Sequence, residues 1–388
     1  MEKENEVALM KNLYLLEDAI ISPLGFSTEE NIKAIGEGKS GLQLQQKPEI
    51  TENSFYAGII DESPLNDAFK AIGNPKKYTK LEKMLLLTVQ QILNKNPNLN
   101  LGETGLVITT TKGNINLLKD PGNFPEIRLK LSELGKVIAN FFGFVQKPII
   151  VSNACISGGL GLAVARRLGS IGKLKNALVV GGDLVSDFVV SGFNSFQALS
   201  QEACKPFSKD RNGISLGEAA AAILVSFDRT KSSGNIALIG DSTVNDANHI
   251  SGPSRTGEGL YQSIQKALKE ASISTAEIDF LSAHGTATIY NDEMECMAFH
   301  RSGLQNTPLH SLKGYYGHTL GASALIESIV TKHSMLKNYL YSSKNFGELG
   351  VSKSLNIIQE NEEKEIDYAL KTASGFGGCN LALVFKKE

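Results

Sequence analysis

The pattern that most restricts the fold is an alternation of short apolar runs with longer amphipathic stretches, sustained through most of the 388 residues. Residues 106–111 (LVITTT), 148–151, 177–182 (ALVVGG), 220–227 (AAAILVSF), 235–240 (NIALIG), 280–283 and 381–385 (LALVF) predict buried strands. Between them, residues 81–93, 158–168, 257–271 and 321–336 carry helical periodicity. Such alternation predicts an α/β chain with largely parallel sheets. A polar segment at 228–234 (DRTKSSG) divides the chain near its middle, into residues 1–230 and 231–388. The two parts end alike. Residues 217–227 (GEAAAAILVSF) and 377–385 (GGCNLALVF) each run from glycine through small residues into an apolar strand, a hint of internal duplication.

Bulk composition excludes several function classes. The 39 basic and 41 acidic residues balance, which gives no pull toward nucleic acid or an anionic membrane. The four cysteines, Cys155, Cys204, Cys296 and Cys379, are widely spaced with no CxxC pair. That spacing argues against a structural zinc site or a disulfide framework and suits a reducing compartment. The amino terminus, MEKENEVALMKN, lacks the apolar core of a secretion signal, and no window approaches the about 18 apolar residues that span a bilayer. A cytoplasmic protein is expected.

Four segments carry chemistry. In PIIVSNACISGGLGLAVARRL an apolar run leads through a polar turn into a glycine-rich helix start, placing Cys155 at the apex of a strand–turn–helix elbow. Helix-start amides and the macrodipole lower a thiol pKa, and the thiolate is the nucleophile; a free cysteine is as often a small core residue. In DFLSAHGTATIYNDEME a buried strand delivers His284 to a turn at its carboxyl end, where open α/β sheets bind ligands. In SLKGYYGHTLGASA, Lys313 and His318 precede a helix opened by small residues. Finally, ASGFGGCN is a glycine-rich turn before the last strand, whose amides can form an anion nest. Taken singly, a structural histidine, a surface lysine and an ordinary turn account for the last three.

In this order and at these separations the segments resemble the β-ketoacyl-acyl carrier protein synthases of the thiolase superfamily. NACISGG resembles the nucleophile elbow, HGTAT with Asn291, Asp292 and Glu295 the HGTGT…ND..E signature, and KGYYGHTLGAS with Glu327 the K…GH..GA motif. GFGGCN resembles GFGG[TN]N, and the segments ISPLG, GKSG and KPFSKDRNGISLGEAAAAILV extend the likeness over nearly the whole chain. The resemblance implies a thiolase-like fold, two duplicated βαβαβ halves stacked as an α-β-α-β-α sandwich. It also implies a dimer formed through a strand that extends both sheets, sought at residues 176–182.

The implied activity is a decarboxylating Claisen condensation between an acyl group on Cys155 and a malonyl thioester. His284 and His318 would donate to the thioester oxyanion. Lys313 would orient them rather than act as a base, and the amides of Cys155 and Phe376 would form a second oxyanion hole, with the Phe376 ring as a gate. Asp292, Glu295 and Glu327 would buttress these loops. No cofactor or metal is implied, the substrates being carried on the phosphopantetheine of an acyl carrier protein; a structural monovalent cation near Glu295, Glu327 and Asn380 is allowed. The dimer would be a homodimer or a heterodimer with a second synthase-like subunit, without nucleic acid or membrane partners.

Three alternatives stay open: Cys379 as a thiolase-type second thiol, a non-catalytic partner subunit, and a transacylase or hydrolase using the same elbow. Departures beside the nucleophile, Asn153 and Ile156, and the compact segment 113–148, suggest an unusual acyl chain. Lys76, Lys77 and Lys80, or Arg128 and Lys130, are candidate carrier-protein contacts.

Overall fold

Ten hydrogen-bonded strands run in one continuous order in the computed structural model, which describes residues 10–231, 236–249 and 252–388. Residues 1–9, residues 232–234 of the expected boundary at 228–234, and Asn235 at the head of an expected strand lie outside the described residues. In chain order the strands are β1 (Leu13–Ile21), β2 (Thr104–Thr109), β3 (Ile149–Val151), β4 (Asn176–Asp183) and β5 (Ala219–Ser226), then β6 (Ile236–Asn245), β7 (Phe280–Ser282), β8 (Leu309–His310), β9 (Tyr368–Gly375) and β10 (Cys379–Lys387). Their spatial order is β8-β7-β9-β10-β6-β1-β5-β4-β2-β3.

Read outward from the centre, each half repeats one permutation: first strand, fifth, fourth, second, third. Pairing senses repeat as well. β2 is parallel to both β3 and β4, and β7 is parallel to both β8 and β9. The fifth strand of each half is antiparallel to its two neighbours. The hint of duplication in the two small-residue strands is thus realised by β5 and β10, which occupy equivalent places. The sheets are mixed rather than largely parallel, because each half returns its last strand antiparallel beside its first.

Among the helices that cover and separate the halves are α1 (Lys80–Lys95), α2 (Leu131–Phe142), α3 (Ser157–Ser170), α4 (Asp187–Ser195), α5 (Glu258–Ala271), α6 (Ile289–Arg301) and α7 (Ser323–Lys337). α1, started by a Thr79–Glu82 capping box, packs on β1, β4 and β5, and α5 packs on β6 and β10. α3 and α7 pack on each other and on strands of both halves, forming the middle layer. Strand alternation feeds this layering: Val107 joins the inner core with Leu162 and Leu325, while Leu106 and Ile108 join the cluster containing α1. The inner helices approach so closely that a Cβ on Gly158 would stand 2.7 Å from the Leu325 amide nitrogen.

One expectation is corrected. The strand containing residues 176–182 is bonded on both sides, to β2 and β5, and is buried throughout, so it cannot extend a sheet into another subunit. The free edge in this half is β3, whose first two residues are half-buried.

Candidate active site

The elbow forms where β3 ends and α3 begins. Ala154 takes a left-handed conformation (φ 44°), an unfavourable geometry for a residue with a Cβ, and Cys155 follows it directly. Ser157 ties the turn, accepting from the Asn153 amide at 2.8 Å and donating to the Ala154 carbonyl at 2.7 Å. Cys155 is buried at the floor of a cavity of about 350 Å³. Its thiol is pushed up to about 12, first by burial and then by the nearby Cys379, with Lys313 and Lys112 pulling the other way. The expected lowering by the helix start is therefore outweighed, because in this buried site desolvation of the thiolate exceeds the attraction of the charges around it.

His284 and His318 meet the thiol from the other half of the chain. The Cys155 Sγ and one ring nitrogen each of His284 and His318 all lie within 4.8 Å of one another. The two imidazoles stand edge to face, with centroids 5.2 Å apart. Both are held well below the usual histidine range, chiefly by burial and next by the charge of Lys313.

Lys313 is completely buried. Its ammonium contacts the His284 Nδ1 at 3.2 Å, the His284 carbonyl at 2.6 Å and the Glu327 carboxylate at 2.8 Å. Three donors meet three acceptors, which leaves no lone pair for base chemistry. An ammonium only donates, so His284 Nδ1 must accept and Nε2 must carry the proton. His318 is held by its backbone, donating to Ser215 and accepting from Gly217, while neither ring nitrogen has a hydrogen-bond partner among the described residues.

The carboxylates stand behind the histidines. Glu295 accepts the amides of His284 (2.8 Å) and Gly285 (2.7 Å) and the Asn291 side chain (2.8 Å). Asp292 accepts the amides of Phe207 (2.7 Å) and Thr286 (3.0 Å). Burial raises Asp292 to about 6 and Glu295 to about 7. Glu327 bridges Lys313 and a second buried lysine, Lys371, at 2.8 and 2.7 Å. Asn380 accepts from Ser374 at 2.8 Å and donates to the Gly378 carbonyl at 2.9 Å, beside the cavity.

These residues do not fit a bound monovalent cation. The oxygens of Glu295 already accept N–H donors, those of Glu327 face two ammoniums, and the Asn380 oxygen is taken by Ser374.

The glycine turn closes the site. A Cβ on Gly375 would stand 3.1 Å from the Cys155 amide nitrogen, so the turn carrying Phe376 lies directly against the elbow. Gly377 and Gly378 take left-handed conformations (φ 85° and 77°). The Phe376 ring packs at the cavity against Phe196 (5.0 Å) and Phe193 (5.6 Å), residues of and beside α4.

Sequence reasoning missed Lys371, whose only signal is one charge in a strand that is otherwise apolar or small. It also missed Asp183, which accepts from Thr110, Thr111 and the Gly321 amide and thereby joins the strand ends of one half to the loop after His318. Asn153 and Ile156 are the departures beside the nucleophile that suggested an unusual acyl chain. Ile156 packs in the inner core, and neither residue lines the cavity that holds Cys155. Of the expected carrier-protein contacts, Lys80 is paired with Glu218 and Arg128 with Glu82.

This geometry has counterparts. Residues 19–230 match the model of the β-ketoacyl synthase N-terminal domain, and residues 236–347 that of the C-terminal domain. The chain belongs to the β-ketoacyl synthase family. The synthase is 26% identical to a putative mitochondrial 3-oxoacyl-[acyl-carrier-protein] synthase of Schizosaccharomyces pombe, over 97% of this chain and 99% of that protein. It is 25% identical to 3-oxoacyl-[acyl-carrier-protein] synthase 2 of Vibrio harveyi, over 95% and 96%. Its fold matches a chain of the complex between the ketosynthase ApeO and its chain length factor ApeC from Xenorhabdus doucetiae, with a TM-score of 0.85 at 22% identity over the whole of both chains. The fold is the thiolase-like one, and the family chemistry makes this synthase an acyltransferase-type enzyme. Among the described residues, no helix is long and apolar enough to cross a membrane.

Proposed function

We propose that Cys155 accepts an acyl group from an acyl carrier protein and that the same cavity then condenses it with a malonyl thioester, releasing carbon dioxide. The convergence of one thiol and two neutral imidazoles in a buried cavity carries this reading. In the first half-reaction the thiol attacks the thioester carbonyl. Its proton passes to His318, whose ring nitrogens are unengaged, and on to the departing pantetheine thiolate. The Cys155 and Phe376 amides would hold the tetrahedral oxyanion. In the second, the malonyl carboxylate leaves as carbon dioxide and its electrons enter an enolate. The Nε2–H of His284 and an N–H of His318 stabilise that enolate oxygen, each donor being worth about 3–4 kcal/mol in comparable oxyanion sites. The enolate carbon attacks the acyl-cysteine, the Cys155 thiolate departs, and it regains a proton from solvent.

An acyl carrier protein partner agrees with the names of the two curated relatives, and a heterodimer with the ketosynthase–chain length factor complex whose chain shares this fold. The cytoplasm agrees with four free thiols. Mixing the purified protein with acyl- and malonyl-carrier proteins tests the proposal: it requires an acyl adduct on Cys155 by mass spectrometry, then carbon dioxide and a β-ketoacyl product. Product formation that survives Cys155→Ala would sink it. Acyl transfer without carbon dioxide release would favour the transacylase reading.

A further inference from the structure

We propose that Lys371 is a tethered substitute for a structural monovalent cation, and that its ammonium positions His284 and Lys313 without any bound ion. Lys371 lies in β9, completely buried. Its Nζ contacts the carbonyl oxygens of Ser282 (3.2 Å), Ala283 (3.2 Å) and Thr372 (2.5 Å) and the Glu327 carboxylate (2.7 Å). Four oxygens around one positive centre, three of them main-chain carbonyls, form the donor set a desolvated alkali or ammonium ion seeks. Glu295 is also near enough to act on Lys371 through its charge.

The cage encloses the segment that delivers His284. The carbonyls of residues 282 and 283 immediately precede it, Glu295 accepts its amide, and Glu327 holds the lysine on its Nδ1. Lys371 touches neither cavity nor thiol, so it is a positioning residue. It also explains why Glu295 and Glu327 offer no room for a free cation: the positive charge arrives covalently attached, with no dissociation equilibrium. The catalytic consequence rests on the condensation reading; the cage itself does not.

Swapping potassium for tetramethylammonium at constant ionic strength tests this. Wild-type melting temperature and condensation rate should not respond. Lys371→Ala in tetramethylammonium should melt lower and condense more slowly by on the order of 10- to 100-fold, the scale on which partners of a first ligand act. Potassium or ammonium should restore both saturably, while tetramethylammonium, too large for the cage, should not. A folded variant that no small cation rescues would overturn the proposal, as would a wild type that itself requires potassium. If Lys371→Ala does not fold, Lys371→Ser, which offers a polar cage wall, carries the rescue measurement in its place. The melting arm needs no turnover, so failure of the condensation reading would show as lost product with the cation pattern intact.

Discussion

Lys313 holds His284 twice, through Nδ1 at 3.2 Å and through the carbonyl oxygen at 2.6 Å, so one side chain sets both the tautomer and the backbone of that histidine. The lysine is itself held by Glu327, which shares its charge with Lys371. A chain of alternating charges therefore runs behind the imidazoles, outside the reach of substrate.

Replacing Lys313 by methionine frees His284 Nδ1 to take the ring proton and turns Nε2 into an acceptor. Malonyl decarboxylation should fall by on the order of 10²- to 10³-fold, the cost of losing one oxyanion donor. Acyl loading of Cys155, followed by mass spectrometry, should change far less. Because Glu327 keeps Lys371, the stability loss should stay below the about 3–5 kcal/mol of a fully orphaned buried charge. Equal losses in both half-reactions would contradict this assignment.

Both histidines should stay neutral through the physiological range. Their folded values lie well below the ordinary 6.5. Below that pH the unfolded chain takes up protons that the folded chain refuses, so their contribution is present above 6.5 and lost as pH falls. Glu295 acts oppositely: raised from 4.5 to about 7, it contributes most below 4.5 and loses that contribution as pH rises through 7. Urea unfolding across this range should show a smaller acid-side decline in His318→Asn, where His284 alone still contributes, and should lose its Glu295-linked decline in Glu295→Gln. A histidine inflection near 6.5 in the decarboxylation rate would refute the neutral pair.

Burial that pushes Cys155 to about 12 leaves a protonated thiol at rest. Iodoacetamide should therefore alkylate it slowly at pH 7, with a rate that climbs tenfold per pH unit and shows no plateau by pH 9. A plateau below pH 8 would reveal a resting thiolate–imidazolium pair.

Gly375→Ala places a methyl group 2.9 Å from Cys379 Sγ, 3.1 Å from Ala154 Cβ and 3.1 Å from the Cys155 amide nitrogen. The turn carrying the Phe376 amide must then retreat from the elbow. Acylation of Cys155 should slow by about 10²-fold, the effect of losing one oxyanion donor, with condensation following it down. An unchanged acylation rate would remove the Phe376 amide from that step.

Much of this architecture was legible in the chain. Periodicity located the seven apolar strands and the four helices at 81–93, 158–168, 257–271 and 321–336 to within a few residues. The strands it overlooked have reasons: β8 is two residues long, β9 is interrupted by Lys371, and β1 carries Glu17 and Asp18 among its apolar residues. Motif order alone singles out Cys155, His284, Lys313, His318 and Phe376 as one group. The sense of the thiol shift and the interior place of β4 were misread because each depends on burial.

By itself, the amino-acid sequence determined the α/β class, the duplication and the residue types that meet at the site, because periodicity and local turns are properties of neighbouring residues. Tertiary structure alone decided which groups are charged, which strand lies at the edge, and that Glu327 stands between two lysines. Those outcomes follow from desolvation and from contacts between residues far apart in the chain, terms that no local pattern of side chains encodes.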